Sequence, residues 1–275
     1  MPICFLLSTA LLLVAPNLFA KQTSSQAAAI SSTEPTHDAA TPLPTYDVVS
    51  IHEHKPGTND LMGMGSRDAG FTAKNINLNT LLLNAYKIRL LSLISGLPSW
   101  SSSTSFDISA KVTDPDIDIL KKLTPEQRRA MLMALLADRF HLRAHIVTKT
   151  LPVYDLVLAK GGPKLIENTA PTGPHNMLGS MTMSRSQITA VGVPTSNIAA
   201  NLASQTQRNV IDKTGLTGRY DFTLKWTPTE LEGKADNNDP DLFTALQEQL
   251  GLKLEPSKGP VDTLVVDYVE RPSEN

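Results

Sequence analysis

The chain has 275 residues, and its 25 lysines and arginines stand against 27 aspartates and glutamates, so its formal net charge is −2. Because this balance lacks the basic surplus that binding to a phosphate backbone requires, nucleic acid is not an expected partner. A low net charge with 41% hydrophobic residues also excludes a wholly disordered chain, and the length suits one large domain or two small ones.

The first twenty residues predict an export signal. They carry no charged side chain and contain an apolar run over residues 4–15, which suits a signal peptide and is short for a membrane span. We expect cleavage after Ala20; an uncleaved N-terminal anchor or a buried helix is the alternative. Residues 21–45, rich in Ser, Thr, Ala and Pro, indicate a disordered tether. The protein is therefore expected in the periplasm or the extracellular space.

The cysteine content supports the same picture. Cys4 is the only cysteine, and it lies within the predicted signal. A mature chain without a thiol has no disulfide, no cysteine zinc site and no cysteine nucleophile. Its stability must then come from its hydrophobic core, which a chain of this length can build.

The remainder of the chain is predicted to contain the same structural unit twice. Four segments recur in the same order, and the spacing between the two copies falls gradually from 117 to 108 residues. The matched pairs are residues 71–76 with 188–193, Asp107 with Asp221, Leu132 with Leu242, and Pro152 with Pro260. An internal repeat, with small deletions in its loops, accounts for this pattern.

The first unit, residues 46–160, is predicted to begin with an extra strand and then to follow the order β-α-β-α-β-β. Its second helix begins with a capping box at Thr124 and Gln127, and residues 106–112 alternate as a strand does. Two short strands, 142–146 and 153–159, are expected to close the unit. The helix positions expected to be buried are Leu78, Leu81, Leu82, Ala85, Met131, Leu132, Leu135, Leu136 and Phe140.

Residues 161–187 lack an apolar period and predict a connector loop, and residues 188–275 predict the second unit. Its first helix carries Ile198, Ala199 and Leu202 on one stripe, and its second helix is expected to open at Asp239-Pro240. Strands at 252–254 and 264–269 are expected to close it. The predicted fold class is α+β, with two related β-α-β-α-β-β lobes and an N-terminal strand, the lobes either sharing a sheet or packing face to face.

The densest group of special residues is the turn over residues 212–222. Gly215 and Gly218 tolerate positive φ, so they predict a tight turn, and the side chain of Asp212 is expected to cap it. Lys213 and Arg219 would then project from the turn as an anion-binding corner. A hairpin turn with solvated charges is the alternative.

Further candidates for ligand binding lie outside this turn. Tyr220 begins the strand that follows the turn. Trp100 lies in the loop that takes the place of this turn in the first unit, so the two loops are expected to flank a common cleft. His145 is a candidate for lining a surface groove, with an exposed polar face as the alternative. His52 and His54 share a strand face at a spacing that metals use, but a solvated strand end is the favoured interpretation, and we predict no metal or cofactor.

Motifs of established catalytic chemistry are missing from the sequence. Gly-x-Ser-x-Gly, His-Glu-x-x-His and the phosphate-binding Gly-x-x-x-x-Gly-Lys-Ser/Thr do not occur. A dispersed site at the lobe junction, built from residues such as His145, Asp155, Asp212 or Tyr220, stays open from sequence alone.

Six segments resemble a soil-associated, acidobacterial family of secreted proteins of unknown function. They lie at residues 47–51, 71–75, 135–140, 151–164, 212–222 and 242–252, and the likeness extends over residues 46–273. That family is highly paralogous, and some members resemble an appendage on membrane metallopeptidase sensors. The resemblance implies export, and a membrane metallopeptidase as one kind of partner, but no reaction.

A looser resemblance concerns half of one unit. Residues 191–195, Leu202, Val210 and the strand at Tyr220 are similar to the short N-terminal domain of secretins and TonB-dependent receptors. That resemblance implies contact with a secretion component. We therefore expect an exported, non-enzymatic module that binds an envelope protein, a peptide or a small ligand, with a secreted hydrolase or an extracytoplasmic sensor of a cell-wall ligand as alternatives.

Overall fold

The computed structural model describes residues 43–57, 60–67, 70–113, 117–170, 179–228 and 239–273. Over these residues the chain is a mixture of helices and strands, with three four-stranded sheets. The predicted α+β class is confirmed. The predicted signal peptide and nearly all of the predicted tether, residues 1–42, lie outside the described residues.

The first half of the described chain contains β1 (Val48–Glu53), β2 (Gly63–Arg67), β3 (Gly70–Asn77), α1 (Leu78–Ala85), a 3-10 turn (Leu91–Leu93), β4 (Ile94–Ser95), α2 (Trp100–Ser103), β5 (Ser105–Lys111), α3 (Ile117–Lys122), α4 (Pro125–Arg139) and β6 (Arg143–Leu158). The second half contains β7 (Ile166–Glu167), β8 (Ser180–Met183), β9 (Gln187–Val193), α5 (Thr195–Thr206), β10 (Val210–Asp212), β11 (Tyr220–Lys225), α6 (Leu242–Ala245), a π-helical turn (Leu246–Leu250) and β12 (Leu252–Tyr268). Strands β7 and β8 therefore lie within the segment that was predicted as a connector.

Two antiparallel outer sheets flank a central sheet. The outer sheets have the strand orders β1-β5-β3-β2 and β7-β11-β9-β8, and the central sheet has the order β10-β6-β12-β4. In the central sheet β6 and β12 are antiparallel, while β10 runs parallel to β6 and β4 parallel to β12. Each half of the chain thus gives its first, second, third and fifth strands to an outer sheet, and the two halves share the central one.

The closing strands of each half are longer than expected, and the prediction of two short strands in each half is wrong. β6 and β12 pair continuously, with Pro152 opposite Lys258 and Pro260 opposite Thr150. Proline has no N–H to donate to the hydrogen bonds between strands, so the sequence predicted that each strand ends at its proline. Among the described strands, however, β10 reaches only residues 154–156 of β6 and β4 only residues 264–265 of β12. Each strand is therefore locally an edge at its proline.

Two hydrophobic cores lie beneath the outer sheets. The first includes α1, α4 and the Val266 end of β12, and the second includes α5, the π-helical turn and the Leu252 end of β12. Every helix position that was expected to be buried is at most 5% exposed, so the predicted apolar stripes are confirmed. Because β6 and β12 cross from one core to the other, the central sheet ties the two lobes together.

The helix starts give one confirmation and one correction. Thr124 accepts a hydrogen bond from the backbone N–H of Gln127, whose side chain accepts one from the backbone N–H of Thr124, as the predicted capping box requires. The expected opening at Asp239-Pro240 is wrong by two residues. Asp241 caps α6 instead, and its carboxylate accepts from the backbone N–H groups of Phe243 and Thr244. Both aspartates have suitable cap chemistry, so sequence did not separate them.

Candidate functional site

Each outer sheet contains the same kind of backbone kink, closed by an aspartate. Asn75 in β3 and Gly192 in β9 have positive φ, 52° and 63°, where the pairing with the neighbouring strand shifts. The backbone N–H of Asn75 donates to Asp107 over 2.8 Å, and that of Gly192 donates to Asp221 over 2.6 Å. A β-bulge leaves a donor without a ladder partner. The two matched aspartates therefore hold the bulges closed.

A second side chain completes each bulge. In the first lobe the His54 ring donates through Nδ1 to Asp107 over 3.0 Å, and its Nε2 lies 3.3 Å from Asp60. In the second lobe the amide of Asn168 donates to Asp221 over 2.7 Å. We call His54, Asp107 and Asp60 the clamp; the side chain of His54 is only 9% exposed, while those of Asp107 and Asp60 are 41% and 38% exposed. The sequence did not reveal it, because only the fold brings its three side chains together.

The clamp shifts the ionisation of both partners. The hydrogen bond to Asp107 raises the pKa of His54, against burial, which lowers it. Burial raises the pKa of Asp107, but the backbone N–H of Asn75 and the His54 ring outweigh it, so the pKa of that carboxyl lies below 3.8. Folding therefore favours protonated His54 facing ionised Asp107 more than the unfolded chain does.

We expect the clamp to stabilise the fold most at mildly acidic pH. Because the folded pKa of His54 is raised, its contribution is complete below the unfolded value of about 6.5 and is lost as pH rises through the folded value. At the acid end it is lost as pH falls through the lowered pKa of Asp107. In thermal unfolding, His54→Gln should lower Tm more at pH 5.5 than at pH 8.5.

The matched control for this pH dependence is Asn168→Ala. The amide of Asn168 occupies the corresponding place beside Asp221 and has no proton to titrate. Its loss of Tm should be similar at the two pH values. An equal loss for His54→Gln at both pH values would contradict the assignment of His54 as the titrating partner of Asp107.

The structure gives the residues of the predicted turn structural partners. The carboxylate of Asp212 accepts from the hydroxyl of Thr195 over 2.6 Å and from the backbone N–H of Thr214 over 3.0 Å, so the predicted cap is present. Gly215 has φ +70°, as predicted. Gly218 does not have positive φ; a Cβ there would lie 2.8 Å from the hydroxyl of Tyr220. Close packing against side-chain ends, rather than backbone conformation, therefore favours glycine at that position.

The two cations of the turn point to different partners. Lys213 Nζ lies 2.8 Å from the carboxylate of Asp155, a side chain that is 12% exposed. The guanidinium of Arg219 donates to the backbone carbonyl of Ala170. Tyr220 is 8% exposed and begins β11. These contacts give the turn a structural role, because they connect β10 with β6 and with the second outer sheet.

The remaining candidates, Trp100 and His145, lie apart from the turn. Trp100 packs edge-on against Phe106 in the first core, with ring centroids 6.2 Å apart, and the guanidinium of Arg271 lies over its ring. His145 is exposed and pairs with Asp267 over 2.8 Å. The structure therefore brings the turn residues together, but it does not join them with Trp100 and His145.

Two surface clefts stand out among the described residues, and neither is lined by the six residues that were predicted to bind a ligand. One, of about 780 Å³, lies on the first outer sheet between β2, β3 and β5. The other, of about 790 Å³, lies where the loop after α1 and the start of α4 meet the middle of β12, with Asn209 of the second lobe at its side. We call the latter the junction cleft. Its lining residues come from five separate parts of the chain, and none of these parts carries a catalytic motif.

Two further features bear on chemistry and on the membrane. Within the described ranges, no group of three or more His, Cys, Asp or Glu side chains is arranged to hold a metal ion. None of the helices in the same ranges has the length and apolar character needed to cross a membrane.

Comparison with known proteins identifies a family but no function. Comparisons with curated proteins and with solved structures find no match. A family model described as a protein of unknown function, DUF3738, matches residues 79–269, which include the second core, the bulge closed by Asp221 and the junction cleft. Since this match spans well over half of the sequence, the chain belongs to the DUF3738 family.

Proposed function

We propose that the chain is an exported, non-enzymatic binding module of the cell envelope and that its ligand occupies the junction cleft. The observation that carries the proposal is the cleft itself. Its volume of about 790 Å³ lies within the range of about 300–1,000 Å³ that is usual for small-molecule sites, and residues from both halves of the chain line it. The uncharged, apolar N-terminus and the resemblance to secreted acidobacterial proteins support a periplasmic or extracellular location.

The proposal includes an internal repeat, in which the two lobes are copies of one unit. The equal strand orders of the outer sheets and the bulges closed by Asp107 and Asp221 support it. The pairing of β6 with β12 supports it as well, because it is symmetric about the pair Leu151 and Gly259. A repeat would explain how a binding site arises at the junction, since two fused copies meet there without being identical.

A secreted hydrolase with a dispersed site is the first alternative. Its candidate acid–base residues, His145 and Asp155, lie at opposite ends of β6, roughly 30 Å apart at about 3.3 Å per residue. Among the described residues, the nearly buried histidine beside carboxylates is His54, which has Asp107 at Nδ1 and Asp60 at Nε2. Neither ring nitrogen of His54 is then left to accept a proton from a substrate. These distances and contacts favour binding over hydrolysis.

An extracytoplasmic sensor of a cell-wall ligand is the second alternative. A sensor would have the same architecture and the same cleft as the proposed binding module. It would differ only in the partner that the chain contacts once its ligand is bound. A membrane metallopeptidase or a secretion component is the partner that the family resemblances suggest. An envelope protein or a peptide is the broader class of partner.

The test of a non-enzymatic role is an activity screen of the purified full chain against ester, peptide and glycoside substrates. We expect no turnover above a buffer blank. Turnover that is lost in His145→Ala or Asp212→Ala would refute the proposal and establish the hydrolase. A circular dichroism spectrum of each variant shows whether it is folded, so that a loss through unfolding is not mistaken for a catalytic effect.

A further inference from the structure

The junction cleft has an apolar floor. Met133 of α4, Leu93 of the 3-10 turn and Val261 of β12 line it, together with Ile146 of β6. Ile146 is 44% exposed, although Leu264, directly opposite it on β12, is fully buried. An exposed aliphatic side chain in a cleft of this size marks apolar surface that a ligand can cover.

The rim of the cleft carries a local excess of positive charge. Three cations, Lys87, Arg89 and Arg129, line it, against the two carboxylates Glu126 and Asp262. Arg129 is committed to Glu126, with 2.6 Å between guanidinium and carboxylate, and Asp262 accepts from the hydroxyl of Thr148 over 2.6 Å.

No such partner occupies the other two cations. The side chains of Lys87 and Arg89 are exposed and make no direct hydrogen bond or ion pair with the residues that the structure describes; Lys87 attracts the Glu126 carboxylate only at longer range. Each cation is therefore available to an anion entering the cleft.

Lys87 stands at a position where the fold alone favours glycine. It follows the end of α1 with φ +55°, in the left-handed region that a residue with a Cβ adopts unfavourably. Its neighbour Tyr86 lines the cleft, and burial raises the pKa of its phenol, which keeps it a neutral hydrogen-bond donor. The loop from 86 to 89 thus presents two cations and a donor at one side of an apolar floor.

We propose that the junction cleft binds an aliphatic carboxylate, with its chain along Ile146 and Met133 and its head group held by Lys87 and Arg89. The inference rests on the binding function proposed above and names the class of ligand. Charge complementarity selects the anion, since the rim has one more cation than it has carboxylates. The open apolar floor selects an aliphatic chain over a small polar acid.

The test is a calorimetric titration of the full chain with decanoate, below the concentration at which it forms micelles. We expect saturable binding with one site per chain. In the series from hexanoate to decanoate, each methylene should tighten binding by up to about fourfold, as burial of a CH₂ group predicts. Decyltrimethylammonium, with an alkyl chain one carbon longer and a cationic head, should not bind at this site.

The decisive variant is Lys87→Gly with Arg89→Gln, which should weaken decanoate binding by about tenfold or more. Its Tm should equal or exceed that of the unmodified chain, because glycine adopts the left-handed conformation at position 87 without strain. Lys160→Gln with Arg185→Gln removes the same charges from exposed sites outside the cleft and should leave the affinity unchanged.

Equal affinity of the Lys87/Arg89 variant and the unmodified chain for decanoate would overturn the inference, as would equal binding of decanoate and decyltrimethylammonium. Either result would leave the proposed binding function standing with another ligand. The non-enzymatic role itself fails only on the turnover described above. The two failures are therefore distinguishable.

Discussion

Asp221→Ala is expected to lower the free energy of unfolding by about 2–3 kcal/mol, a large share of the stability of a domain. The carboxylate accepts from the buried Gly192 N–H and from the Asn168 amide. Alanine leaves both donors without a partner in a part-buried setting, and the cost arises chiefly from the buried N–H. Urea denaturation followed by circular dichroism measures the change.

Two comparison variants sharpen this result. Asp107→Ala removes the corresponding contacts to Asn75 and His54 and should cost a similar amount. Asp262→Ala removes an exposed carboxylate that accepts a hydrogen bond from the hydroxyl of Thr148, and it should lower the free energy of unfolding by less than about 1 kcal/mol. If Asp221→Ala unfolds at the same urea concentration as the unmodified chain, the structural role of this aspartate is wrong.

Lys213→Ala is expected to lower the free energy of unfolding by about 2–3 kcal/mol, for a different reason. Lys213 itself is 54% exposed, so the attraction within the ion pair is screened and contributes little. The side chain of Asp155, however, is only 12% exposed, and its Oδ1 has no hydrogen-bond partner among the residues that the structure describes. Removing Lys213 also leaves Oδ2 unpaired, so that a buried carboxylate loses its compensation.

A double-mutant cycle isolates this effect. In a chain that already carries Asp155→Ala, the further change Lys213→Ala should lower the free energy of unfolding by less than about 0.5 kcal/mol. No buried carboxylate remains there to lose its partner. Lys213 would behave differently as a solvated anion-binding residue. Lys213→Ala would then lower the free energy of unfolding only slightly, with or without Asp155→Ala. That outcome would favour the turn over residues 212–222 as a ligand site.

Local features of the fold were predictable from sequence, because neighbours along the chain produce them. The apolar stripe of α4 and its capping box at Thr124 and Gln127 depend on residues within a few turns of one helix. The same holds for Gly215, whose positive φ belongs to its own turn. The continuity of β6 was not predictable, because Pro152 is tolerated only where β10 does not extend.

The candidate site depends on contacts that sequence does not express. The clamp at Asp107 joins His54 and Asn75 across two strand pairings, and the junction cleft joins Lys87, Met133 and Val261 from three elements. These types of side chain are common in any protein, so the sequence alone did not identify these residues as parts of a site. The turn at residue 212 attracted attention because its glycines and charges are dense, yet its contacts are those of a structural joint.

Hydrogen–deuterium exchange of the full chain, with and without decanoate, tests most directly the claim that the junction cleft is the ligand site. We predict slower exchange on adding decanoate in peptides that cover residues 85–93 and 126–133, which line the cleft. Peptides covering residues 212–222 should exchange at an unchanged rate. Slowing confined to residues 212–222, with none around the cleft, would contradict the account.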